Sequence, residues 1–278
     1  MKLAIGLVTY NNSQEEIDRW QNSLLVALDN MKKSQQQVKI RVLHIDNSNE
    51  TYHFDSALKL ISMPFQGNVG YSSAINVLIR QFLEEVDYQY FLCANPDGVF
   101  HPDFFVELTR FNQKHPKAII EAIQFPEEHL KKYDPISFET DWASGCCLLI
   151  PRLVFEKIGL MDETFFMYVE DVDFSWRAKI AGIEVKLCPR AKYGHPTLTR
   201  TQPKIQEKFM FESGRYLAHK WSSHDFKTFC EQVLVERGHA SSIDDMPDIS
   251  NTEIIHLAEE HKQITNFDHK FYFGEPRW

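Results

Sequence analysis

The chain has 278 residues and a formal net charge of −9, and 43% of its residues are hydrophobic, including 21 phenylalanines. This apolar content supports a sizeable core, in one large domain or one domain with an appendage, and excludes a largely disordered chain. The negative charge argues against a general nucleic-acid binder, which carries a basic surface.

The cysteines and the apolar runs indicate the compartment. Five cysteines show neither C-x-x-C pairing nor zinc-ligand spacing, which predicts reduced core thiols. No apolar run reaches the roughly 20 residues of a membrane helix. The N-terminal apolar run is too short for a signal peptide and predicts a first buried strand. We therefore expect a cytoplasmic protein, with contact to the inner face of the cell membrane left open.

The first part of the chain alternates predicted strands and helices. Strands are predicted at 3–9, 38–45, 58–62 and 88–94. Ser13 and Glu16 have the spacing of a capping box, which predicts a helix start, and a second helix is predicted over 72–85. The alternation predicts an α/β fold, with a mostly parallel central sheet flanked by helices.

Polar turns follow three of these strands. The turns are Thr9-Tyr10-Asn11, Asp46-Asn47 and Asn95-Pro96-Asp97. Because ligands bind outside the carboxyl ends of parallel strands, we expect the three turns to open onto one binding edge. Asn68 and Gly70 lie in a glycine turn before the second helix, whose N-terminus can face a nucleotide.

The rest of the chain is less regular. Residues 126–141 are charged and interrupted by prolines, which predicts a mobile loop or a short excursion. Strands are predicted at 142–150 and around 185–188, with a short helix after Pro151. Polar helices follow from about residue 203. We divide the chain into a main domain, 1–200, and a helical C-terminal extension, 201–278.

An acidic pair follows an apolar stretch in the segment 159–177. Aromatic residues and methionine directly precede Glu170 and Asp171, and a helical pattern follows. This is typical of a positioned general base, because burial raises such a pKa while a helix N-terminus stabilises the charged form. The alternative is an acidic first turn that only complements the helix dipole.

Five elements in chain order resemble one known family. They are Val8-Thr9-Tyr10-Asn11, Ile45-Asp46-Asn47-Ser48, Gly67-Asn68-Val69-Gly70, Asn95-Pro96-Asp97 and the acidic segment from Asp162 to Arg177. Together, over roughly residues 1–200, they resemble the inverting family 2 glycosyltransferases, particularly the rhamnosyltransferase-like branch. The resemblance implies a GT-A fold and a dTDP- or UDP-linked sugar donor, with rhamnose as one candidate sugar. It also implies a glycan or lipid-linked glycan acceptor, as in bacterial surface polysaccharide synthesis.

The resemblance assigns roles to residues. Asp171 would be the catalytic base, with Glu170 beside it orienting the loop or binding acceptor hydroxyls. The nucleotide-sugar-binding residues would be Thr9, Tyr10, Asn11, Asp46, Asn68, Gly70, Asn95, Asp97 and Arg177. Asp46 would accept a hydrogen bond from the base, the alternative being an Asx-turn that closes the strand. Arg215 is a further candidate for the diphosphate.

The same resemblance implies a metal ion. Asp97 occupies the place of a DxD-type motif in which Asn95 replaces one carboxylate. Mg²⁺ or Mn²⁺ can be held by one or two carboxylates plus substrate phosphates. His195 fits the second metal ligand, and its imidazole suits Mn²⁺ better than Mg²⁺. A structural histidine is the alternative.

Two further groups of residues have alternative interpretations. Candidates for an aromatic sugar platform are Trp142, Trp176, Phe165, Phe166 and Tyr168, for which core packing is the alternative. The cationic residues Lys204, Lys208, Arg215 and Lys220 can share a helix face that touches anionic lipids or is simply solvated.

Two rival functions remain. A nucleotidyltransferase would need a glycine-rich, basic first loop, and the loop after the first predicted strand has neither feature. A sugar-nucleotide or glycan binding module that has lost catalysis is the non-enzymatic alternative. Asn95 in place of a carboxylate supports the binding module, and the intact Glu170-Asp171 pair opposes it.

Overall fold

The computed structural model describes residues 1–34, 37–129, 131–196 and 203–267. The strands are β1 (Lys2–Thr9), β2 (Lys39–Asp46), β3 (Leu60–Ser62), β4 (Tyr90–Ala94), β5 (Val99–Phe100), β6 (Ile119–Phe125), β7 (Cys147–Pro151) and β8 (Val185–Gly194). The α-helices are α1 (Gln14–Lys33), α2 (Gly70–Glu84), α3 (Phe104–Lys114), α4 (Arg152–Ile158), α5 (Glu170–Ile180), α6 (Pro203–Lys220) and α7 (His224–Glu236). Short 3₁₀ turns occur at Ile243–Asp245 and Glu259–His261.

All eight strands join one sheet, in the order β3-β2-β1-β4-β7-β6-β8-β5. Strands β3, β2, β1 and β4 are parallel to one another, and β6 is parallel to β8. The strand β7 runs antiparallel to β4 and β6, and β5 runs antiparallel to β8. The predicted α/β fold, with a mostly parallel sheet flanked by helices, is confirmed.

Alternating side chains of β1 build a core on each face of the sheet. Leu3 and Ile5 pack into a cluster that contains Trp20 of α1 and residues of α3. Ala4 packs into the opposite cluster, which contains residues of α2, α4 and α5. This period of two places a helical layer on both faces. The predicted capping box is also present, since Ser13 accepts from the Glu16 N–H and Glu16 accepts from the Ser13 N–H.

A third cluster joins the C-terminal helices to α5. The rings of Trp176 and Trp221 meet edge to face at 5.3 Å. The fully buried carboxylate of Asp173 accepts hydrogen bonds from Trp221 Nε1 at 3.0 Å and from Lys220 Nζ at 2.7 Å. The helices α6 and α7 therefore brace the helix that carries the acidic pair. The boundary predicted at residue 200, like residues 268–278, lies outside the described residues.

Several predicted elements require correction. The strand predicted at 142–150 begins only at Cys147, because the backbone N–H groups of 143–145 donate to side chains instead of to a neighbouring strand. In the segment 126–141, which is described except at residue 130, Glu127, Lys131 and Thr140 are buried, which favours the short excursion over the mobile loop. Residues 99–125, for which no element was predicted, form β5, α3 and β6.

None of the helices in the described part of the chain combines the length and the apolar character that a membrane span requires.

Candidate active site

A cleft of about 740 Å³ opens at the carboxyl ends of the parallel strands. The turns after β1, β2 and β4 all contribute to it, through Tyr10-Asn11, Asn47 and Asn95-Pro96-Asp97. These strands are neighbours in the sheet, since β1 pairs with β2 and with β4. The predicted convergence of the three turns on one edge is therefore confirmed.

The segment before α5 is clamped between two helices. On one side, Phe166 O accepts a 2.7 Å hydrogen bond from the Tyr71 N–H of α2. On the other, Met167 O accepts a 2.7 Å hydrogen bond from Ser213 Oγ of α6. Tyr168 and Val169 then adopt left-handed conformations, with φ of 73° and 55°, and the helix begins at Glu170. Strained backbone of this kind clusters at functional sites.

Gly70 is required by this clamp. Its φ is +80°, and an added Cβ would lie 2.4 Å from Phe166 O. The backbone freedom of Gly70 therefore lets the Phe166 backbone approach, whereas the sequence suggested the approach of a nucleotide.

Asp171 has its carboxylate fixed at the cleft. Its Oδ2 accepts a 2.7 Å hydrogen bond from the Gly145 N–H, and its Oδ1 accepts a 2.8 Å hydrogen bond from the Val172 N–H. Burial raises the pKa of Asp171, while the Gly145 hydrogen bond and the charge of Lys131 lower it. A carboxylate that is held in place and has a raised pKa is suited to accept a proton.

Glu170 lies deeper than Asp171 and also lines the cleft. Its Oε2 is buried and finds no hydrogen-bond partner among the described residues. Burial, and then the adjacent charge of Asp171, raise the pKa of Glu170 well above its usual range. The two carboxyl groups therefore oppose each other's ionisation, which favours the protonated form of Glu170.

Asp97 and His195 meet at the same cleft. Asp97 Oδ1 lies 3.2 Å from Nε2 of the buried His195. The other ring nitrogen, Nδ1, lies 3.1 Å from Gln124 Oε1, which can only accept a hydrogen bond. With Gln124 in this orientation, Nδ1 donates to its oxygen, and Nε2 faces the Asp97 carboxylate.

This donor set fits a divalent cation. Two facing acceptors need a proton or a cation between them, and a carboxylate oxygen with an imidazole nitrogen is suited to Mn²⁺. Metal-ligating histidines commonly donate their second N–H to an acceptor, as His195 does to Gln124. Within the described ranges no group of three His, Cys, Asp or Glu side chains could hold a metal. The two residues would therefore need substrate oxygens to complete the coordination.

The residues assigned to the nucleotide divide into two groups. Tyr10, Asn11, Asn68, Gly70, Asn95 and Asp97 line the cleft, and Thr9, Asp46 and Arg177 do not. Both oxygens of the buried Asp46 already accept hydrogen bonds, from Thr9 Oγ1 and from the backbone N–H groups of Ser48 and Glu50. In this structure Asp46 closes a turn, which was the alternative interpretation.

The two arginine assignments need correction. Arg177 donates to Asp173 and to the carbonyl oxygens of Ile158 and Leu160, away from the cleft. Arg215 is buried and pairs with Glu231 at 2.8 Å.

The predicted cationic face on the C-terminal helices is not formed either. Arg215 and Lys220 are both buried, and Lys220 Nζ lies 2.7 Å from Asp162 as well as from Asp173. These two charges are paired inside the protein and are not presented to a lipid surface, whereas Lys204 and Lys208 remain at the surface.

The aromatic candidates also divide. Trp142, Phe166 and Tyr168 line the cleft, and Phe165 and Trp176 do not. Trp142 is nevertheless buried in the third core cluster together with Phe165 and Trp176. The rings of Phe166 and Phe209 lie 4.9 Å apart, which extends the aromatic wall onto α6.

The structure brings in residues that the sequence did not single out. Gly145 supplies the N–H that holds Asp171, and α6 contributes Ile205, Phe209 and Met210 to the cleft. Nothing local in the sequence marks these positions. Glu121, which accepts a hydrogen bond from the Ser144 N–H, could have been noticed, because it is a lone charged residue within an apolar strand.

No protein-family model matches the chain. A low-salt glycan biosynthesis hexosyltransferase, Agl10 of Haloferax volcanii, is 29% identical over 144 residues, which are 44% of this chain and 47% of that protein. An N-acetylglucosaminyl-diphospho-decaprenol L-rhamnosyltransferase of Mycobacterium tuberculosis is 38% identical over 65 residues, 23% of this chain and 21% of that protein. The matches thus span less than half the length of these curated relatives.

Solved structures show the same fold. S. aureus TarS aligns with a TM-score of 0.53 and 16% identity, over 88% of this chain and 44% of TarS. GalNAc-T7, solved with UDP, GalNAc and Mn²⁺, aligns with a TM-score of 0.59 and 10% identity, over 90% of this chain and 53% of that chain. The GT-A fold and the predicted resemblance to family 2-like glycosyltransferases are confirmed.

Proposed function

We propose that this chain, a GT-A glycosyltransferase by fold and by distant homology, transfers a sugar with inversion. The donor would be a dTDP- or UDP-linked sugar, and the acceptor a hydroxyl of a glycan or lipid-linked glycan. The observation that carries the proposal is the Asp171 carboxylate, held at the cleft by the Gly145 N–H with a pKa raised by burial.

The chemistry requires one base at this position. The acceptor O–H gives its proton to the Asp171 carboxylate while its oxygen forms a bond to the anomeric carbon of the donor. The bond from that carbon to the diphosphate oxygen breaks with its electron pair, and the nucleoside diphosphate leaves from the opposite face. A single displacement inverts the configuration, and a positioned base contributes about 10²–10⁴-fold in rate.

The charge of the cleft supports a metal requirement. Its described lining includes four carboxylates, from Glu16, Asp97, Glu170 and Asp171, and a single arginine, Arg19. A diphosphate would meet mostly negative charge in such a cleft. Asp97 and His195 would hold Mn²⁺ or Mg²⁺, which when bound neutralises charge on the leaving diphosphate. GalNAc-T7, a neighbour in fold, was solved with UDP and Mn²⁺.

The cleft lining offers two kinds of surface. Tyr10, Asn11 and Asn68 supply an aromatic ring and amides, which suit a base and a ribose. Trp142, Phe166 and Phe209 supply apolar aromatic faces, which suit sugar rings and apolar parts of an acceptor. A distant relative is named for a diphospho-decaprenol-linked acceptor, which is consistent with a lipid-linked glycan here.

The test is a donor screen that monitors nucleoside-diphosphate release, with Mn²⁺, with Mg²⁺ and with a chelator. With the right donor and acceptor we expect metal-dependent transfer, and NMR of the product should show the inverted anomer. Asp171→Asn should lower kcat by at least 10²-fold and leave donor affinity within about threefold. Asp87→Asn, at an exposed carboxylate, is the matched control and should behave as wild type.

Two results would contradict the proposal. Retained transfer in Asp171→Asn would show that another group is the base. Binding of a nucleotide sugar without transfer or hydrolysis, for every donor tested, would favour the impaired binding module.

A further inference from the structure

A buried ion pair lies behind the proposed base. Glu121 of β6 contacts Lys131, which lies in the β6–β7 segment (residues 126–146, described except at 130). Their side chains are only 3% and 5% exposed. Lys131 Nζ also lies 4.0 Å from the centroid of the Trp142 ring, one of the rings that line the cleft.

Stability does not account for this pair. Burial raises the pKa of Glu121 and lowers the pKa of Lys131. For each charge, the cost of lost hydration therefore outweighs the stabilisation that its partner provides. Buried pairs of this kind are often no more stabilising than apolar residues of similar volume. The contacts that the pair makes with the backbone are therefore more informative.

The pair holds both ends of a short stretch of backbone. Lys131 Nζ donates a 2.8 Å hydrogen bond to Trp142 O, and Glu121 Oε2 accepts a 3.0 Å hydrogen bond from the Ser144 N–H. The next N–H along the chain, that of Gly145, donates to Asp171. The ion pair thus fixes the backbone immediately before the donor that holds the proposed base.

A second set of bonds ties the same stretch to α5. The Ala143 N–H donates to Ser175 Oγ at 3.0 Å, and Ser175 Oγ donates to Asp171 O at 2.7 Å. The stretch 142–145 is therefore held from the β6 side by charges and from the α5 side by neutral hydrogen bonds.

The ion pair also acts electrostatically on the carboxylate. The positive charge of Lys131 lowers the pKa of Asp171, and Glu121 and Asp171 disfavour each other's negative charge. Among the described residues, the titratable groups that interact with Asp171 are Glu170 of α5, Tyr71 of α2, Cys93 of β4, Glu121 of β6 and Lys131 of the β6–β7 segment. His129 of that segment lines the same cleft.

We propose that Glu121 and Lys131 are positioning residues for Asp171. They hold the 142–144 backbone so that the Gly145 N–H stays on the carboxylate, and they keep a positive charge beside it. The inference rests on the proposed function in taking Asp171 as the base that receives the acceptor proton. The charge of Lys131 favours the ionised form of this carboxylate, against the effect of burial.

Two nearly isosteric variants separate charge from shape. Lys131→Met removes the cation, so the Asp171 titration and the acidic limb of kcat should both move up by about one pH unit. Glu121→Gln keeps an acceptor for the Ser144 N–H but removes the negative charge, so both should move down or stay. If the pair were merely structural, both variants would have a lower kcat, but the Asp171 titration would not move up in Lys131→Met.

The titration is read by carboxyl-carbon NMR, with the Asp171 signal assigned by its loss in Asp171→Asn. Lys186→Met is the matched control, because Lys186 is equally buried and paired with Glu184 but, unlike Lys131, is not among the main groups that shift the pKa of Asp171. This control should lose stability and leave the Asp171 titration unmoved.

The NMR titration tests the inference without any transfer assay. If no donor supports transfer, the proposed function fails, but the positioning role of the ion pair can still be decided. An Asp171 titration that is unchanged in a folded Lys131→Met variant would overturn the inference. If Lys131→Met does not fold, an upward shift in Glu121→Gln would overturn it equally.

Discussion

Replacing Gly70 by alanine should destabilise the protein and disturb the proposed base together. An alanine at this position would keep a φ near +80°, where an L-residue is strained, and its Cβ would meet Phe166 O at 2.4 Å. The contacted atom is backbone, so it cannot rotate away. Relief would require the 166–169 turn to move, and α5 begins directly after that turn.

The magnitude follows from three contributions. Left-handed strain costs about 1–2 kcal/mol, and overpacking costs about 1–3 kcal/mol. Loss of the hydrogen bond from the Tyr71 N–H to Phe166 O costs about 1 kcal/mol more. We therefore expect Gly70→Ala to lose about 3–6 kcal/mol in the free energy of unfolding.

Gly67 provides a matched control within the same turn. Its φ is +90°, and no atom lies within 4 Å of an added Cβ. Gly67→Ala should therefore cost only the strain, about 1–2 kcal/mol. The difference between the two variants isolates the contact with Phe166.

Urea denaturation measures the stability of both variants, and the donor assay measures kcat. A shift of the Glu170-Asp171 turn by about 1 Å can cost on the order of 10²-fold in rate. Gly70→Ala should therefore lose much more activity than Gly67→Ala. Equal losses of stability in the two variants would refute the proposed clamp between Gly70 and Phe166.

Three further perturbations test other parts of the structure. Burial lowers the pKa of His44 from 6.5 to about 4. The protein should therefore have its full free energy of unfolding above pH 6.5 and lose about 3 kcal/mol of it as the pH falls to 4, because the unfolded chain binds the proton more readily. Urea denaturation of His44→Gln should lack this loss. Arg152 donates to four backbone carbonyl oxygens around the end of α2. In urea denaturation, Arg152→Met should therefore lower the free energy of unfolding by about 2–4 kcal/mol. The control Arg110→Met, at an exposed arginine, should lower it by less than about 1 kcal/mol. Gln124→Leu should weaken Mn²⁺ binding by about 10–100-fold, because Gln124 orients His195. The affinity is measured by calorimetry with a nucleoside diphosphate present. An unchanged affinity would argue against His195 as a ligand.

Local patterns predicted much of the fold. The apolar runs of β1, β2 and β4, the capping box at Ser13 and the helix at Glu170 all depend on residues close in sequence. Residues 99–125 escaped prediction although they form a helix and two strands. The start of β7 could not be predicted either, because the N–H groups of 143–145 bond to the distant side chains of Glu121, Asp171 and Ser175.

The candidate site was predicted in part for the same reason. Strand ends of a parallel sheet share one edge, so the turns at Tyr10-Asn11 and Asn95-Asp97 could be placed together from sequence. The partner of each side chain could not. Asp46 and Arg177 looked like ligand-binding residues. Packing between separate elements gives Asp46 the Thr9 hydroxyl, and gives Arg177 the carbonyl oxygens of Ile158 and Leu160.

The sequence by itself determined the alternation of strands and helices in the first part of the chain, the position of the acidic pair at a helix start and the likeness to GT-A glycosyltransferases. Only the tertiary structure decided which charged groups face the cleft and which are buried in pairs. Periodicity and capping arise between residues a few positions apart, whereas Lys131, Gly145 and Asp171 come together through contacts between separate elements. The environment of Asp171, and hence its capacity to accept a proton, is set by that packing.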